Sequence, residues 1–342
     1  MGLGRCCRIG RCGVGRVEVT GVYSMACFGS CARIRYPWQM RNQNQNLGGS
    51  RARRWYAYLW HEWTVESRRP IAPAFARPNP AEWSDNRITA AWLGHATVLI
   101  NFFGIKILTD PVLFPRIGIR LPGLTLGPKR LIASALTVRD LPKIDIVLLS
   151  HAHFDHIDMR TLHRFDRSTT VITAHRTSDL LRWTRFRDVS ELRWKERKSV
   201  STSAGKIDIV AFRVKHWGAR TRRDTYRGYN GYVLERNNRR ILFAGDTALS
   251  DSFAELRASS PIDLAIMPIG AYNPWIHSHC TPEQAVHMAN EAGAHFIMPV
   301  HHQTFRFSAE DFREPIERFQ AALWETPERI ALREIGETFV LP

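Results

Sequence analysis

The chain has 342 residues, of which 44% are hydrophobic and 23% are charged, proportions that are ordinary for a globular protein. No run of residues approaches the roughly 18 apolar residues of a membrane-spanning helix, so we expect none. The net charge is +16, but residues 1–54 hold ten arginines and one acid and carry more than half of it. The remaining chain is only modestly basic, so we expect no nucleic-acid partner.

Residues 1–50 are basic, rich in glycine and cysteine, and without helical or strand periodicity, so we expect a disordered tail. Most of the cysteines lie in this tail, and their spacings do not fit the common zinc-binding motifs. Cys280 is the one cysteine of the remaining sequence, which excludes a disulfide framework there and suits a reducing compartment. We therefore expect a cytoplasmic protein, with peripheral contact to a membrane left open.

Residues 51–87 join this tail to the folded region. Arg53–Trp63 mixes arginines with tryptophans and tyrosines, which is typical of an interfacial helix on anionic lipid and also of aromatic side chains packed on a domain. Four prolines follow and predict an extended linker: Pro70, Pro73, Pro78 and Pro80. We place one folded domain at residues 88–342, without an internal repeat.

The pattern of apolar residues within this domain predicts strands at first and then an alternation of strands and helices. The predicted strands are Ile88–Trp92, Thr97–Phe103, Ile105–Leu108, Ile144–Leu149, Val171–Thr173, Ile207–Arg213, Tyr232–Glu235, Ile241–Ala244, Leu264–Met267 and His295–Met298. The predicted helices are Asp158–Phe165, Thr281–Ala292 and Ala309–Trp324. This order suits an α/β fold in which two β-sheets pack face to face with helices outside.

The most informative stretch follows the apolar strand that ends at Leu149. It places four metal-binding side chains within six residues: His151, His153, Asp155 and His156. Loops at strand ends carry the chemistry of many α/β proteins, and metal binding relieves the crowding of three imidazoles and a carboxylate. The spacing therefore predicts a loop whose side chains face two adjacent metal ions.

This HxHxDH pattern after an apolar strand resembles the central motif of the metallo-β-lactamase-fold hydrolases. The other motifs of that superfamily occur in its order, at Asp110, His216, Asp246 and His301. Each of these residues is weak evidence by itself: Asp246 could cap a helix near Ser250, and His301 competes with its neighbour His302. Their joint order carries the resemblance, which covers about residues 88–340.

The resemblance implies an αββα sandwich, with two mixed β-sheets, helices on the outer faces and a dinuclear metal site. In that site His151, His153 and His216 hold one metal, Asp155, His156 and His301 hold the other, Asp246 bridges them, and Asp110 orients a ligand histidine. The implied metals are two Zn²⁺ ions, with Mn²⁺ or Fe²⁺ as alternatives. A hydroxide between two such ions attacks a carbonyl or phosphoryl group without a side-chain base, and Asp155 counts among the catalytic residues.

The flanking residues resemble one branch of the superfamily, the N-acyl-phosphatidylethanolamine-hydrolysing phospholipase D family. The matching stretches are Trp92–Thr97, Leu108–Val112, Phe243–Thr247, Pro268–Tyr272 and His279–Val286. The resemblance places His279 at the mouth of the metal site as a catalytic residue that binds a phosphate oxygen or protonates a leaving group. A surface histidine beside a helix is the alternative for this residue.

These motifs favour a dinuclear, zinc-dependent phosphodiesterase of phospholipase D type that acts on N-acyl-phosphatidylethanolamine-like lipids. Two alternatives stay open: a sugar-phosphate lactonase or other ester hydrolase of the same fold, and a metal-binding scaffold without catalysis. The expected partners are a small-molecule or phospholipid substrate and, through Arg53–Trp63, a membrane surface. The sequence leaves the oligomeric state open.

Overall fold

The computed structural model describes residues 60, 62–121, 124–258 and 260–342. The expected tail and most of Arg53–Trp63 lie outside the described residues, so what the sequence suggests for them stays a prediction. A π-helical turn at Glu62–Glu66 and an irregular segment with one 3₁₀ turn at Pro80–Glu82 lead to the first strand. Among the helices of the described part of the chain, none has the length and apolar character needed to cross a bilayer.

The described residues form fifteen strands and three α-helices. The strands are β1 (Ile88–Gly94), β2 (Thr97–Phe102), β3 (Ile105–Thr109), β4 (Ile119–Leu121), β5 (Leu124–Leu126), β6 (Ile146–Leu149), β7 (Thr170–Ala174), β8 (Asp188–Leu192), β9 (Arg197–Thr202), β10 (Gly205–Phe212), β11 (Gly231–Arg236), β12 (Arg239–Phe243), β13 (Ile262–Pro268), β14 (Ala294–Val300) and β15 (Thr338–Val340). The helices are α1 (Met159–Leu162), α2 (Pro282–Glu291) and α3 (Glu314–Ala322).

Two large mixed sheets contain all of these strands except the small hairpin β4–β5. The first sheet has the order β15-β1-β2-β3-β6-β7-β8, antiparallel from β15 to β3 and parallel from β3 to β8. The second has the order β14-β13-β12-β11-β10-β9, with parallel pairing from β14 to β12 and antiparallel pairing beyond it. Every residue of β1, β2, β6 and β7 is buried, so both faces of the first sheet are covered.

Two hydrophobic clusters hold these layers together. The first contains Trp92 and Leu148 of one sheet together with Tyr232 of the other, and it fills the space between them. The second joins the outer face of the second sheet to α2 and α3, where Phe319 is fully buried. Neighbouring residues divide between the clusters, as Tyr232 and Val233 do, because successive side chains of a strand point to opposite faces. The expected αββα sandwich is confirmed.

Two of the three predicted helices differ from the structure in their boundaries. The predicted helix Asp158–Phe165 is the single turn α1, which Asp158 caps by accepting from the backbone N–H of Arg160. The predicted helix Ala309–Trp324 begins only at Glu314, where Pro315 occupies the first turn and needs no amide partner. The predicted helix Thr281–Ala292 is helix α2, which begins with a capping box in which Thr281 and Gln284 satisfy each other's backbone N–H groups.

Candidate metal centre

The predicted site residues lie at one edge of the sandwich, where strands that run in the same direction end. In the first sheet these strands are β1, β3 and β6, and in the second they are β10, β12 and β14. The residues that follow them are His95, Asp110, the stretch His151–His156, His216, Asp246 and His301. Because the carboxyl ends of parallel strands meet at one edge, the fold gathers side chains that are far apart in sequence.

One group of side chains contains His151, His153, His216 and Asp246, whose potential ligand atoms lie within 4.8 Å of one another. His151 Nε2 is 2.7 Å from His153 Nδ1, and His216 Nε2 is 3.4 Å from the same atom. The orientation of His216 is fixed from behind, because its Nδ1 donates to the backbone carbonyl of Ser278 at 2.8 Å. Three imidazoles therefore present nitrogen atoms to one point.

A second group contains His95, Asp155, His156 and His301, again with potential ligand atoms within 4.8 Å of one another. Asp155 Oδ2 is its centre: the atom is 3.5 Å from His156 Nε2 and 3.6 Å from His301 Nε2. His95 Nε2 lies closer to this oxygen, at 2.9 Å. His301 is the histidine of its pair that faces the carboxylates, because His302 stacks on the ring of Trp92 instead.

Asp246 stands between the two groups. Its Oδ2 lies 3.1 Å from His156 Nε2 and 3.2 Å from His301 Nε2 on one side. On the other side the same oxygen lies 3.8 Å from His216 Nε2 and 3.9 Å from His151 Nε2. A single carboxylate within reach of both sets of imidazoles is suited to bridge two cations about 3.5–4 Å apart.

Gly245 makes this placement of Asp246 possible. Its φ is +61°, a conformation that L-residues adopt at a cost, and an added Cβ would lie 2.7 Å from the Cβ of Ser150. The close approach of these two loops brings the end of β12 against the end of β6. Any larger residue at this position would push the Asp246 carboxylate away from the histidines that follow β6.

Asp110 lies behind the second group and contacts both ends of the loop Ser150–His156. Its Oδ2 is 2.6 Å from His156 Nδ1, and its Oδ1 accepts from the backbone N–H of Ser150 at 2.7 Å. Hydrogen-bonding one ring nitrogen of His156 leaves the other, Nε2, aimed at Asp155 and Asp246. Asp110 is fully buried, and the contact spans the adjacent ends of β3 and β6.

The donor atoms of this site fit bound cations. The Nε2 atoms of His156 and His301 and Oδ1 of Asp246 are buried and have no hydrogen-bond partner among the described residues. The nitrogens face Asp246 Oδ2 at 3.1–3.2 Å without the geometry of a hydrogen bond. Buried polar atoms without partners are costly, and a divalent cation between nitrogen and carboxylate oxygen satisfies both.

Electrostatics at the site favour the forms of these side chains that bind metals. Burial, with His216 close by, lowers the pKa of His153 to about 3, so its imidazole is neutral. The pKa of Asp246 is held well below its ordinary value despite burial, because His156 and His301 lie beside it. The pKa of His301 rises to about 9, also against burial, through Asp246 and Asp155. A cation bound here would take the place of that proton.

His279 lies at the border of the two groups. Its Nδ1 is 3.9 Å from Asp246 Oδ2, and its ring centroid is 5.2 Å from that of His216 and 5.4 Å from that of His301. The side chain is 13% exposed, so it is neither a surface residue nor sealed in the core. Its backbone N–H donates to the carbonyl of Trp275 at 2.9 Å, within the loop that follows β13.

The structure thus brings together all seven predicted metal ligands, and places His279 and Asp110 beside them. His95 belongs to the same site although the sequence pattern assigned it no role. The sequence did contain a signal for His95. This histidine directly follows a glycine at the end of an apolar strand, just as Asp246 directly follows Gly245 after β12. That signal gains weight only when β1 is known to end at the same edge as β3 and β6.

Comparison with known proteins agrees with this geometry. A family model described as the beta-lactamase superfamily domain matches residues 106–302, more than half of the chain. The chain belongs to this superfamily. Among solved structures, Igni18, a metallo hydrolase from the archaeon Ignicoccus hospitalis, has the same fold, with a TM-score of 0.56 and 19% identity. The alignment covers 75% of this chain and 98% of Igni18.

Two relatives within the superfamily are named N-acyl-phosphatidylethanolamine-hydrolyzing phospholipase D. The Caenorhabditis elegans protein, number 1 of that name, is 31% identical over 252 residues, which cover 69% of this chain and 70% of the relative. The mitochondrial protein of Saccharomyces cerevisiae is 32% identical over 259 residues, 72% of this chain, and the chain spans about half, 54%, of its length. The superfamily and the assembled ligand set make this protein a metal-dependent hydrolase.

Proposed function

We propose that this hydrolase is dinuclear, uses zinc, and cleaves the phosphodiester of N-acyl-phosphatidylethanolamine-like lipids in the manner of a phospholipase D. The position of Asp246 Oδ2, within 3.9 Å of imidazole nitrogens from both groups, carries the dinuclear proposal. Imidazole nitrogens and carboxylate oxygens suit zinc, and also accept Mn²⁺ or Fe²⁺. The names of the two eukaryotic relatives support the substrate class.

In this proposal the protein side chains hold the cations and position the substrate phosphate and the departing alkoxide. Two divalent cations, when bound, activate a water molecule and stabilise negative charge on phosphoryl oxygens. Asp155 and Asp246 supply the carboxylates that fix the cations, and Asp110 keeps His156 aimed at them. His279, at the border of both groups, is placed to hold a phosphate oxygen or to protonate the departing alkoxide.

The rim of the site favours a lipid over a sugar phosphate. Trp217 is 50% exposed and its ring lies 4.4 Å from that of His153. Trp275, whose carbonyl accepts from the N–H of His279, is 38% exposed, as is the adjacent Ile276. Large apolar side chains at a polar centre suit a substrate with acyl chains, which can bury far more apolar surface against them than a sugar-phosphate lactone can.

A hydrolysis assay tests the reaction. Zinc-loaded protein should convert N-acyl-phosphatidylethanolamine in mixed micelles to phosphatidic acid and an N-acylethanolamine, and a chelator should abolish the conversion. In ¹⁸O-labelled water the label should enter phosphatidic acid, because attack is at phosphorus. Label in a released fatty acid, or turnover confined to a sugar-phosphate lactone, would establish the ester hydrolase instead. Bound metal without turnover of any of these substrates would establish the scaffold.

Replacement of His279 tests its catalytic role. We expect His279→Ala to lower turnover on the order of 10²-fold while both metals stay bound, which is the usual scale for a positioned acid or hydrogen-bond donor. His277 is the matched control, since it lies in the same loop and its side chain is exposed. His277→Ala should leave turnover unchanged. Loss of metal from His279→Ala would make this residue a ligand and contradict the role proposed here.

We also propose peripheral contact with anionic lipid at the edge that carries the metal centre. Arg193 and Lys195 follow β8, Arg213 and Lys215 follow β10, and all four are exposed at this edge. Trp194 lies among them, partly exposed, with the guanidinium of Arg213 5.5 Å from its ring centroid. Cations beside exposed tryptophans are typical of surfaces that bind anionic membranes, and each is worth about 1 kcal/mol near the surface.

Co-sedimentation with vesicles tests this contact. The double variant Arg193→Glu with Lys195→Glu should bind phosphatidylglycerol vesicles at least about tenfold more weakly than the unmodified protein. The control is Lys143→Glu with Arg167→Glu, an equal change of charge among exposed residues that precede β6 and β7 at the opposite edge. An equal loss of vesicle binding in both variants would show that only the net charge of the protein matters. If the first variant binds vesicles as well as the unmodified protein does, this edge is not the membrane contact, and Arg53–Trp63 is the segment to test next.

A further inference from the structure

The backbone of His95 is held by three hydrogen bonds, two of them with residues more than 200 positions away in the sequence. Its N–H donates to Thr304 Oγ1 at 2.6 Å. Its carbonyl accepts from the indole N–H of Trp92 at 2.7 Å and from the backbone N–H of His301 at 3.0 Å. The turn between β1 and β2 is therefore fixed to the end of β14, the strand that His301 directly follows.

This backbone has an unfavourable conformation that the contacts maintain. The φ of His95 is +56°, and those of His301, Asp110 and Gln303 are also positive, at +63°, +31° and +55°. Non-glycine residues in this region are uncommon, and they concentrate at functional sites, where surrounding structure holds them in place. Two of the others are the candidate ligand His301 and Asp110, the residue that hydrogen-bonds His156.

The side chain of His95 is buried and directed at Asp155. Its Nε2 is 2.9 Å from Asp155 Oδ2, and the side chain is 1% exposed. The ring centroid lies 4.1 Å from that of His301, and the edges of Phe305 and Phe307 close the other side. A carboxylate accepts hydrogen bonds and cannot donate them, so His95 carries its proton on Nε2 when it contacts Asp155.

We propose that His95 is a positioning residue of the second metal site, where its Nε2–H holds the carboxylate of Asp155 in the orientation that binds a cation with His156 and His301. This inference rests on the proposed dinuclear centre. Hydrogen bonds to ligating carboxylates and imidazoles commonly change metal affinity 10- to 100-fold. The contacts of His95 lie in the group around Asp155, so its replacement should weaken one of the two sites selectively.

Metal titration of substituted proteins tests this role without an activity assay. We expect the unmodified protein to retain two Zn²⁺ per chain against a competing chelator, and His95→Leu to retain one tightly and the other 10- to 100-fold more weakly. His95→Gln should recover much of the lost affinity, because its amide can donate to Asp155 from a similar distance. His302→Gln is the matched control, since this neighbour of His301 is also buried but stacks on Trp92.

Cobalt substitution gives an independent signal. The visible spectrum of the second equivalent of Co²⁺ should change in His95→Leu and stay the same in His302→Gln. Two tightly held metals in His95→Leu would overturn the proposal while leaving the dinuclear centre intact. A single metal in the unmodified protein would overturn both. If His95→Leu does not fold, His95→Gln decides: affinity as low as that of a variant lacking Asp155 refutes the donor role, and recovered affinity supports it.

Discussion

At the scale of single residues, Asp110 determines how His156 faces the centre. In Asp110→Asn only one oxygen remains, so either the contact with His156 Nδ1 or that with the Ser150 N–H is lost. We expect zinc affinity to fall about 10- to 100-fold without loss of the fold, as measured by competition with a chelating dye. Asp85→Asn is the control, because Asp85 is an exposed acid paired with Lys106. Equal affinity in both variants would contradict the orienting role.

The sequence predicted all seven candidate metal ligands, by local spacing within one loop and by the order of motifs elsewhere, but it missed His95. His151, His153, Asp155 and His156 share one loop, so their spacing alone indicates a metal site. His95 is a lone histidine in a turn, and its importance depends on a 2.9 Å contact with a residue 60 positions away. No local pattern contains that distance. The tautomer of His95 and its strained φ also depend on neighbours in space, whose positions cannot be read from the sequence.

At the scale of elements, the sequence predicted the buried strands and missed the exposed ones. β1, β2 and β6 are runs of buried residues, and their apolar sequences make them easy to recognise. β8, β9 and β15 lie at sheet edges, where polar side chains meet water and no apolar run develops. No strand was predicted between Pro111 and Pro128, but this stretch contains the hairpin β4–β5, which belongs to neither large sheet.

Glu191, on the edge strand β8, stabilises the loop that follows β7. Its carboxylate accepts from the backbone N–H groups of Arg176, Thr177 and Ser178 at 2.8–2.9 Å. Partial burial opposes ionisation, but these donors lower the pKa of Glu191 from 4.5 to about 2. The folded state therefore binds this proton less readily than the unfolded chain. The resulting stability is present above about pH 4.5 and is lost as the pH falls toward 2.

We expect Glu191→Gln to destabilise the metal-free protein by about 1–3 kcal/mol at neutral pH, because one N–H loses its acceptor and meets an amide donor. The difference in unfolding free energy from the unmodified protein should shrink between pH 4.5 and pH 2, as Glu191 itself becomes protonated. Urea unfolding at several pH values measures it. Glu317→Gln, on the surface of α3, is the control. A difference that stays constant across this range would show that the carboxylate charge is irrelevant.

At the scale of the whole molecule, the centre joins the two halves of the sandwich at one edge. Its candidate ligands come from the ends of strands in both sheets, and the buried carboxylate of Asp246 and the half-buried carboxylate of Asp155 both face the imidazoles of His156 and His301. Without cations, the close contact between the imidazoles of His151 and His153 adds little stability, and the carboxylates of Asp155 and Asp246 depend on protonated histidines for their ion pairs. Bound cations would be ligated directly by these imidazoles and carboxylates, and should therefore stabilise the native state.

Metal removal should therefore lower thermal stability by an amount set by metal affinity. At a free zinc concentration a hundredfold above each dissociation constant, one site contributes about 2.7 kcal/mol, and two contribute about twice that. For a domain of this size we expect a rise in Tm of about 10 °C or more when zinc is returned to chelated protein, measured by calorimetry. Asp246→Ala, which lacks the shared carboxylate, should show a much smaller rise, because both sites lose a ligand. A rise of equal size in this variant would mean that the two groups bind metal independently, and that the two sheets are not joined through Asp246.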